Sequence, residues 1–229
     1  MLRLRRADAP EHEVPIADVT AELVLSAVPW RTFRSRHRQP HLSGYYWSST
    51  TGGHVIYESR LELARLLLAD ADIEVVGIAG QPFLVIADGR RHVPDFCLVR
   101  RSGPALIVNV KPAERLSNPK VAEALAWAGE VFADRGWDHK IWCGTDPQLL
   151  ANVRFMAGYR LGALFDPDVM TAARRLLTGR CPLGEAEASL TAAGLEPARP
   201  VLLHLVWSGF LRADLSGSLD GSTMVEVAS

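Results

Sequence analysis

Glu62, Asp95, Asn109 and Lys111 have the types and spacing for phosphodiester chemistry. Asp95 follows Pro94 at the head of an apolar run, Phe96-Cys97-Leu98-Val99, and Asn109-Val110-Lys111 closes the next run, Ala105 to Lys111. Ser102-Gly103-Pro104 between the runs reads as a hairpin turn, so antiparallel pairing sets residues near 110 opposite Asp95. Strands alternate faces, which puts Asp95 with Cys97 and Val99, and Lys111 with Asn109 and Ile107. Asp95, Asn109 and Lys111 are therefore expected to meet at one rim. A carboxylate there is a hard oxygen ligand for Mg²⁺, and an ammonium group can hold the attacking water or offset charge on phosphorus. That chemistry needs a second carboxylate. Glu62 is the best placed, because the helix that carries it must bury its leucines against the strands. The competing reading of Asp95 and Lys111 is a surface ion pair, which adds little to stability.

The elements that must position these groups follow from the apolar pattern. Gly52-Gly53 marks a turn, Val55 to Tyr57 a strand, and Glu58 to Ala69 a helix in which Leu61, Ala64 and Leu68 recur at helical spacing. Ile73 to Ile78, Phe83 to Ala87, His92 to Val99 and Ala105 to Lys111 are β-type runs broken by turn residues, which predicts a meander. Ser117 to Asp134 reads as a helix with Val121, Leu125, Ala128 and Phe132 on one stripe. Lys140 to Cys143 returns after it as a strand, a crossover that predicts parallel pairing. Past a helix from Pro147 to Leu161, helices at 167–178, 183–193 and 198–208 precede short strands at 210–215 and 224–227, the order of a winged-helix module. The expected organisation is a basic arm over 1–44, an α/β (α+β) domain with a mixed sheet flanked by helices over 45–162, and a winged-helix-like module over 163–229.

Composition bounds the function classes. The chain has 229 residues, 48% hydrophobic and 22% charged, values of an ordinary globular protein with a real core. Its apolar runs are far shorter than the roughly 20 residues that cross a bilayer, so no membrane role is expected. Arg3, Arg5 and Arg6 are followed by no apolar run or cleavage site, which points to the cytoplasm. Cys97, Cys143 and Cys181 are widely spaced and form no C-x-x-C pair, against a disulfide framework or structural zinc. The net charge of −1 conceals a basic segment, RTFRSRHR, whose Arg31, Arg34, Arg36 and Arg38 can neutralise phosphates. A solvated arm is the equal alternative. Lys120 at a helix start is a further phosphate candidate, with a solvated helix end as the equal alternative, and Gln81 can order the rim through its amide or equally stabilise the turn. The apolar RPVLLHLVWSGF offers only Arg199, His204 and Arg212, so it is expected to pack or to contact protein more than to read a DNA groove.

The set YESRLELARLLLADADIEVVGIAGQPFLV, VPDFCLV and IVNVKPA resembles, in order, the TnsA family, the endonuclease subunits of heteromeric transposases. The resemblance covers roughly 43 to 145. It implies a restriction-endonuclease-like core with a catalytic Glu62, Asp95 and Lys111, where the S-x-L-E register selects Glu62 over Glu58. Many nucleases of this fold carry an acid two residues before the lysine. Asn109 departs from that pattern, as TnsA-type proteins also do. A neutral amide offers an uncharged acceptor, so Mg²⁺, or Mn²⁺ in its place, is expected on Glu62, Asp95 and the Val110 carbonyl, with Asn109 as a weak further ligand.

The same resemblance implies double-stranded DNA at transposon ends as substrate. It also implies a DDE transposase as partner, 5′-strand cleavage by this chain, and an ATP-dependent regulator bound through the C-terminal module. A catalytically silent DNA-binding or scaffolding protein and a stand-alone restriction or repair nuclease are the alternatives.

Overall fold

Phe96–Arg100 and Leu106–Val110 form the antiparallel hairpin on which the site expectation depends, with Cys97 opposite Ile107 and Phe96 opposite Val108. The computed structural model describes residues 1–31 and 43–228. It is a mixed α and β chain that divides into Met1–Asp70 with Glu74–Gly144, and Ala71–Ile73 with Thr145–Ser229. In chain order the first unit contains β1 (Leu2–Arg6), β2 (Ala9–Val14), α1 (Ala21–Leu25), β3 (Gly44–Ser48), β4 (Gly53–Tyr57), α2 (Arg60–Asp70), β5 (Val75–Gly80), β6 (Phe83–Ala87), β7 (Arg90–His92), β8 (Phe96–Arg100), β9 (Leu106–Val110), α3 (Pro119–Asp134) and β10 (Asp138–Trp142).

The strands between Val75 and Val110 do not form a meander. β5 pairs with β8, giving the sheet β10-β9-β8-β5, while the β6–β7 hairpin leaves to join β1 and β2 in the sheet β2-β1-β6-β7. The turn after β5 departs because Gln81 adopts a positive φ of 48° ahead of Pro82. β6 finds its partner at the N-terminus: Leu2 lies opposite Val85 and Leu4 opposite Phe83, all fully buried. Residues 1–28, read from sequence as part of a basic arm, thus belong largely to the folded unit. Their arginines alternate with the buried leucines, which is why composition made the segment resemble a tail. Asp88 and Gly89, with φ of 50° and 71°, close the β6–β7 hairpin as a two-residue turn of the kind Asp-Gly favours.

The run from His92 to Val99 is likewise two strands, since Val93-Pro94-Asp95 interrupts it and Pro94 donates no hydrogen bond to a ladder. β10 runs parallel to β9, as the crossover through α3 requires. Trp127, Ala128 and Phe132 of α3 pack with Cys97, Ile107, Phe83 and Trp137 in one core. Burying each of the larger side chains is worth roughly 1.5–3 kcal/mol.

The second unit contains α4 (Pro147–Met156), α5 (Pro167–Leu176), β11 (Arg180–Pro182), α6 (Leu183–Ala192), α7 (Ala198–Trp207), β12 (Leu211–Ala213) and β13 (Met224–Val227), with strand order β11-β13-β12. The division falls after Gly144, so α4 goes with this unit and not with the sheet before it. Val201, Leu202 and Leu205 of α7 lie in the unit's core. Arg199 pairs with Glu187 at 2.9 Å, and His204 meets the Tyr159 carbonyl through Nδ1 at 2.8 Å. Both side chains are engaged within this unit. No helix among the described residues is long and apolar enough to cross a membrane.

Candidate active site

Asp95 sits between Pro94 and the first residue of β8, one residue beyond the β8–β9 ladder, so continuing that register sets it opposite Asn109. Its Oδ2 accepts from the Val110 backbone N–H at 2.7 Å, from Lys111 Nζ at 3.2 Å and from Asn109 Nδ2 at 3.5 Å. Asp95 is buried while the Lys111 side chain is 33% exposed, which makes the pair a rim contact with one wet end and not a surface ion pair. Gln81 orders the same rim through its backbone: its N–H donates to the Asp95 carbonyl at 2.9 Å. Its side-chain oxygen accepts from the Arg31 backbone N–H at 3.1 Å.

Glu62 reaches this rim from α2. Ser59 caps the helix, its hydroxyl accepting from the Glu62 N–H at 3.1 Å and donating to Glu62 Oε1 at 3.0 Å, while Glu62 Oε2 accepts from the Glu58 N–H at 2.7 Å. This is a capping-box arrangement, and the S-x-x-E spacing that specifies it was present in the sequence. Burial pushes the Glu62 carboxyl up from the ordinary range, the negative charge of Asp95 adds to this, and the Glu58 N–H and Ser59 hydroxyl oppose it. The two carboxylates are thus close enough to feel one another. Glu62, Lys111 and Val110 also border one cleft of about 560 Å³, with Glu58, Leu61, Pro112 and Arg115.

The Asn109 amide oxygen is already engaged within the fold. The residue is fully buried, and its Oδ1 lies 3.0 Å from His92 Nε2 and 3.0 Å from His139 Nε2. Two ring N–H groups converging on one amide oxygen leave that oxygen no room for a metal, and orient Nδ2 toward Asp95. Burial lowers the pKa of His92, with the Asn109 hydrogen bond opposing; burial also lowers that of His139, with the neighbouring His92 adding. Neutral rings suit a neutral amide. His139 escaped the sequence reading because nothing local marks it: it arrives from β10 through parallel pairing. Gly129 of α3 leaves space for its ring, since a Cβ there would lie 2.8 Å from His139 Nδ1. His54, the other histidine near the site in sequence, instead stacks edge-on to Trp47 at 5.0 Å.

The network carries a stability prediction. Asn109→Ala removes the shared acceptor of two buried imidazoles and a donor to Asp95, and is expected to cost about 2–4 kcal/mol. The shift of the urea midpoint at unchanged slope measures it; a loss below about 1 kcal/mol contradicts this view of Asn109.

The proposed phosphate contacts fare unevenly. Arg34, Arg36 and Arg38 lie outside the described residues. Arg31 pairs with Glu58 at 3.4 Å beside the cleft. Lys120 is exposed at the start of α3, where its N–H meets Asn118 Oδ1 at 3.0 Å, and it does not border the cleft.

Among the described residues no group of three or more His, Cys, Asp or Glu side chains is arranged to hold a metal. The donor set at the rim is Glu62, Asp95 and the Val110 carbonyl. Mg²⁺ commonly binds through one or two carboxylates and keeps several waters, so this set fits that ion and is too sparse for a fully protein-bound one. Among the described residues the side-chain hydrogen bonds of Asp95 all fall on Oδ2, so Oδ1 is the oxygen that can turn to a cation. Compared with protein-family models and with curated proteins, the chain has no match.

Proposed function

We propose that this chain is a Mg²⁺-dependent DNA endonuclease of restriction-endonuclease-like architecture, acting as the nuclease subunit of a TnsA-like heteromeric transposase. The observation that carries the reading is that Lys111 Nζ lies 3.2 Å from the strand-start carboxylate of Asp95, while Lys111 and the helix-borne Glu62 border one cleft. Glu62 and Asp95 would hold the ion, with help from the Val110 carbonyl. The ion supplies charge stabilisation at the phosphorus and an acidified water. The protein's own contribution is to fix these groups. The Ser59 cap holds Glu62, and the Val110 N–H and Asn109 amide hold Asp95. Lys111, anchored on Asp95 with its ammonium end partly in solvent, is placed to orient the attacking water or to meet the developing charge.

The second unit supports the transposase part of the reading. Its order α5-β11-α6-α7-β12-β13, with β13 between β11 and β12, is compatible with a winged helix. Because its α7 is committed to the core, partner binding, as by an ATP-dependent regulator, suits it better than groove reading.

The test is strand cleavage. The purified chain, with a DDE transposase partner and duplex DNA carrying the transposon end, is expected to nick the 5′ strand only when Mg²⁺ or Mn²⁺ is present. Lys111→Ala is expected to lose at least about a hundredfold in rate. Metal-independent nicking, or an unchanged rate in that variant, rejects the proposal. Equal cleavage without any partner would favour a stand-alone nuclease.

A further inference from the structure

The charged side chains bordering the cleft are Glu58, Glu62, Lys111 and Arg115. Glu58 is paired with Arg31, Glu62 is tied to the α2 cap, and Lys111 is held by Asp95. Arg115 alone has no ion pair or side-chain hydrogen bond to any described residue. Its backbone, by contrast, is fixed. It lies in a short 3-10 turn, Ala113–Ser117, entered through Pro112; its N–H donates to the Pro112 carbonyl at 2.9 Å, and its own carbonyl accepts from the Asn118 N–H at 3.3 Å. A guanidinium is thus carried on a constrained turn between Lys111 and the start of α3, at the edge of a cleft with two carboxylates, and neither takes it.

We propose that Arg115 grips the backbone phosphate adjoining the one that is cut, in a DNA strand lying along Leu61, Pro112 and Val121. The inference rests on the nuclease reading above and adds a substrate contact to it. A planar guanidinium matches the oxygens of a phosphate diester in two parallel hydrogen bonds, which an ammonium group cannot do. Leu61, Pro112 and Val121 give the cleft apolar faces against which deoxyribose and base edges can pack, and about 560 Å³ is ample for a nucleotide unit. Lys120, the cation that sequence position made attractive, points its role elsewhere because it does not border this cleft. The strand is held by Arg115 before it is cut beside Lys111.

Binding of a fluorescein-labelled mixed-sequence duplex by the full chain, with Ca²⁺ replacing Mg²⁺, tests the assignment alongside the nicking assay. Arg115→Ala is expected to weaken binding about tenfold and to make the slope of log affinity against log salt shallower by about 1. In nicking, KM should rise by a similar factor with kcat within about twofold, the signature of a contact made equally before and during reaction. Arg115→Lys should recover the salt slope but only part of the affinity, and Lys120→Ala should match wild type. Affinity of Arg115→Ala within about twofold of wild type overturns the inference, as does an equal loss in Lys120→Ala or a wild-type chain without salt-dependent duplex binding. If Asp95→Ala abolishes nicking while Arg115→Ala binds normally, only the Arg115 assignment falls. If a folded Asp95→Ala still nicks, the nuclease reading falls with it.

Discussion

Alanine at Asp95 is expected to reduce metal-dependent nicking by at least about 10³-fold, equivalent to roughly 4 kcal/mol of transition-state stabilisation. One substitution removes several things. The proposed divalent ion would lose its best-anchored carboxylate, Lys111 loses the acceptor 3.2 Å from its Nζ, and the Val110 N–H loses an acceptor at 2.7 Å. The last of these also costs stability, about 1–3 kcal/mol for an unsatisfied buried donor, so lost activity could come from unfolding. Asp95→Asn separates the effects. Its amide oxygen can still accept from Val110, which should keep most of the fold, but a neutral oxygen binds a hard cation poorly. The expected result is therefore a well-folded Asp95→Asn protein, by thermal unfolding, that nicks as poorly as the alanine variant. Wild-type nicking by Asp95→Asn would show that the carboxylate is not a metal ligand.

The largest stability effect is expected at Asp70, at the far end of α2 from Glu62. Its buried carboxylate accepts from the Tyr46 hydroxyl at 2.7 Å, the Ser48 hydroxyl at 2.6 Å, and the Ser49 and Thr50 N–H groups at 3.0 and 2.8 Å. It thereby ties the β3–β4 turn to the helix that positions Glu62. Asp70→Ala leaves these donors without their charged acceptor and is expected to cost about 3–5 kcal/mol. The pH dependence has a definite sign. Burial alone would raise this carboxyl, but hydrogen bonds from Ser48, Thr50, Tyr46 and Ser49 outweigh it and hold it below its ordinary value of 3.8. Because the folded value is the lower one, the stabilisation is complete above the ordinary carboxylate range and is lost as pH falls through the folded value. Urea midpoints measured from about pH 7 down to about pH 3 should show wild type and Asp70→Asn converging at the acid end. A gap that widens with acid would contradict the assignment.

What was legible in the sequence was local. The β8–β9 hairpin was visible from alternation and a Ser-Gly-Pro turn, and its register brought Asp95, Asn109 and Lys111 together as expected. The stripe Leu125, Ala128 and Phe132 of α3 and the parallel return of β10 followed from helical period and crossover chemistry. What failed depended on partners distant in the chain. β6 could be assigned to the wrong sheet because its true neighbour is β1, a segment disguised by arginines, and sequence order alone favours pairing with the adjacent run. The His92 and His139 rings that meet the Asn109 oxygen come from another sheet and from the far side of α3, so nothing beside Asn109 in the chain announces them. Glu62 reads in the sequence as a site carboxylate, while its spacing from Ser59 also specifies a helix cap.

The most direct test of the proposed metal site is a crystal grown or soaked with Mn²⁺ and measured for anomalous scattering. The site predicts one strong peak bonded to a carboxylate oxygen of both Glu62 and Asp95, at about 2.0–2.3 Å, with waters completing the coordination shell. A crystal at saturating Mn²⁺ with no peak between those two carboxylates contradicts it.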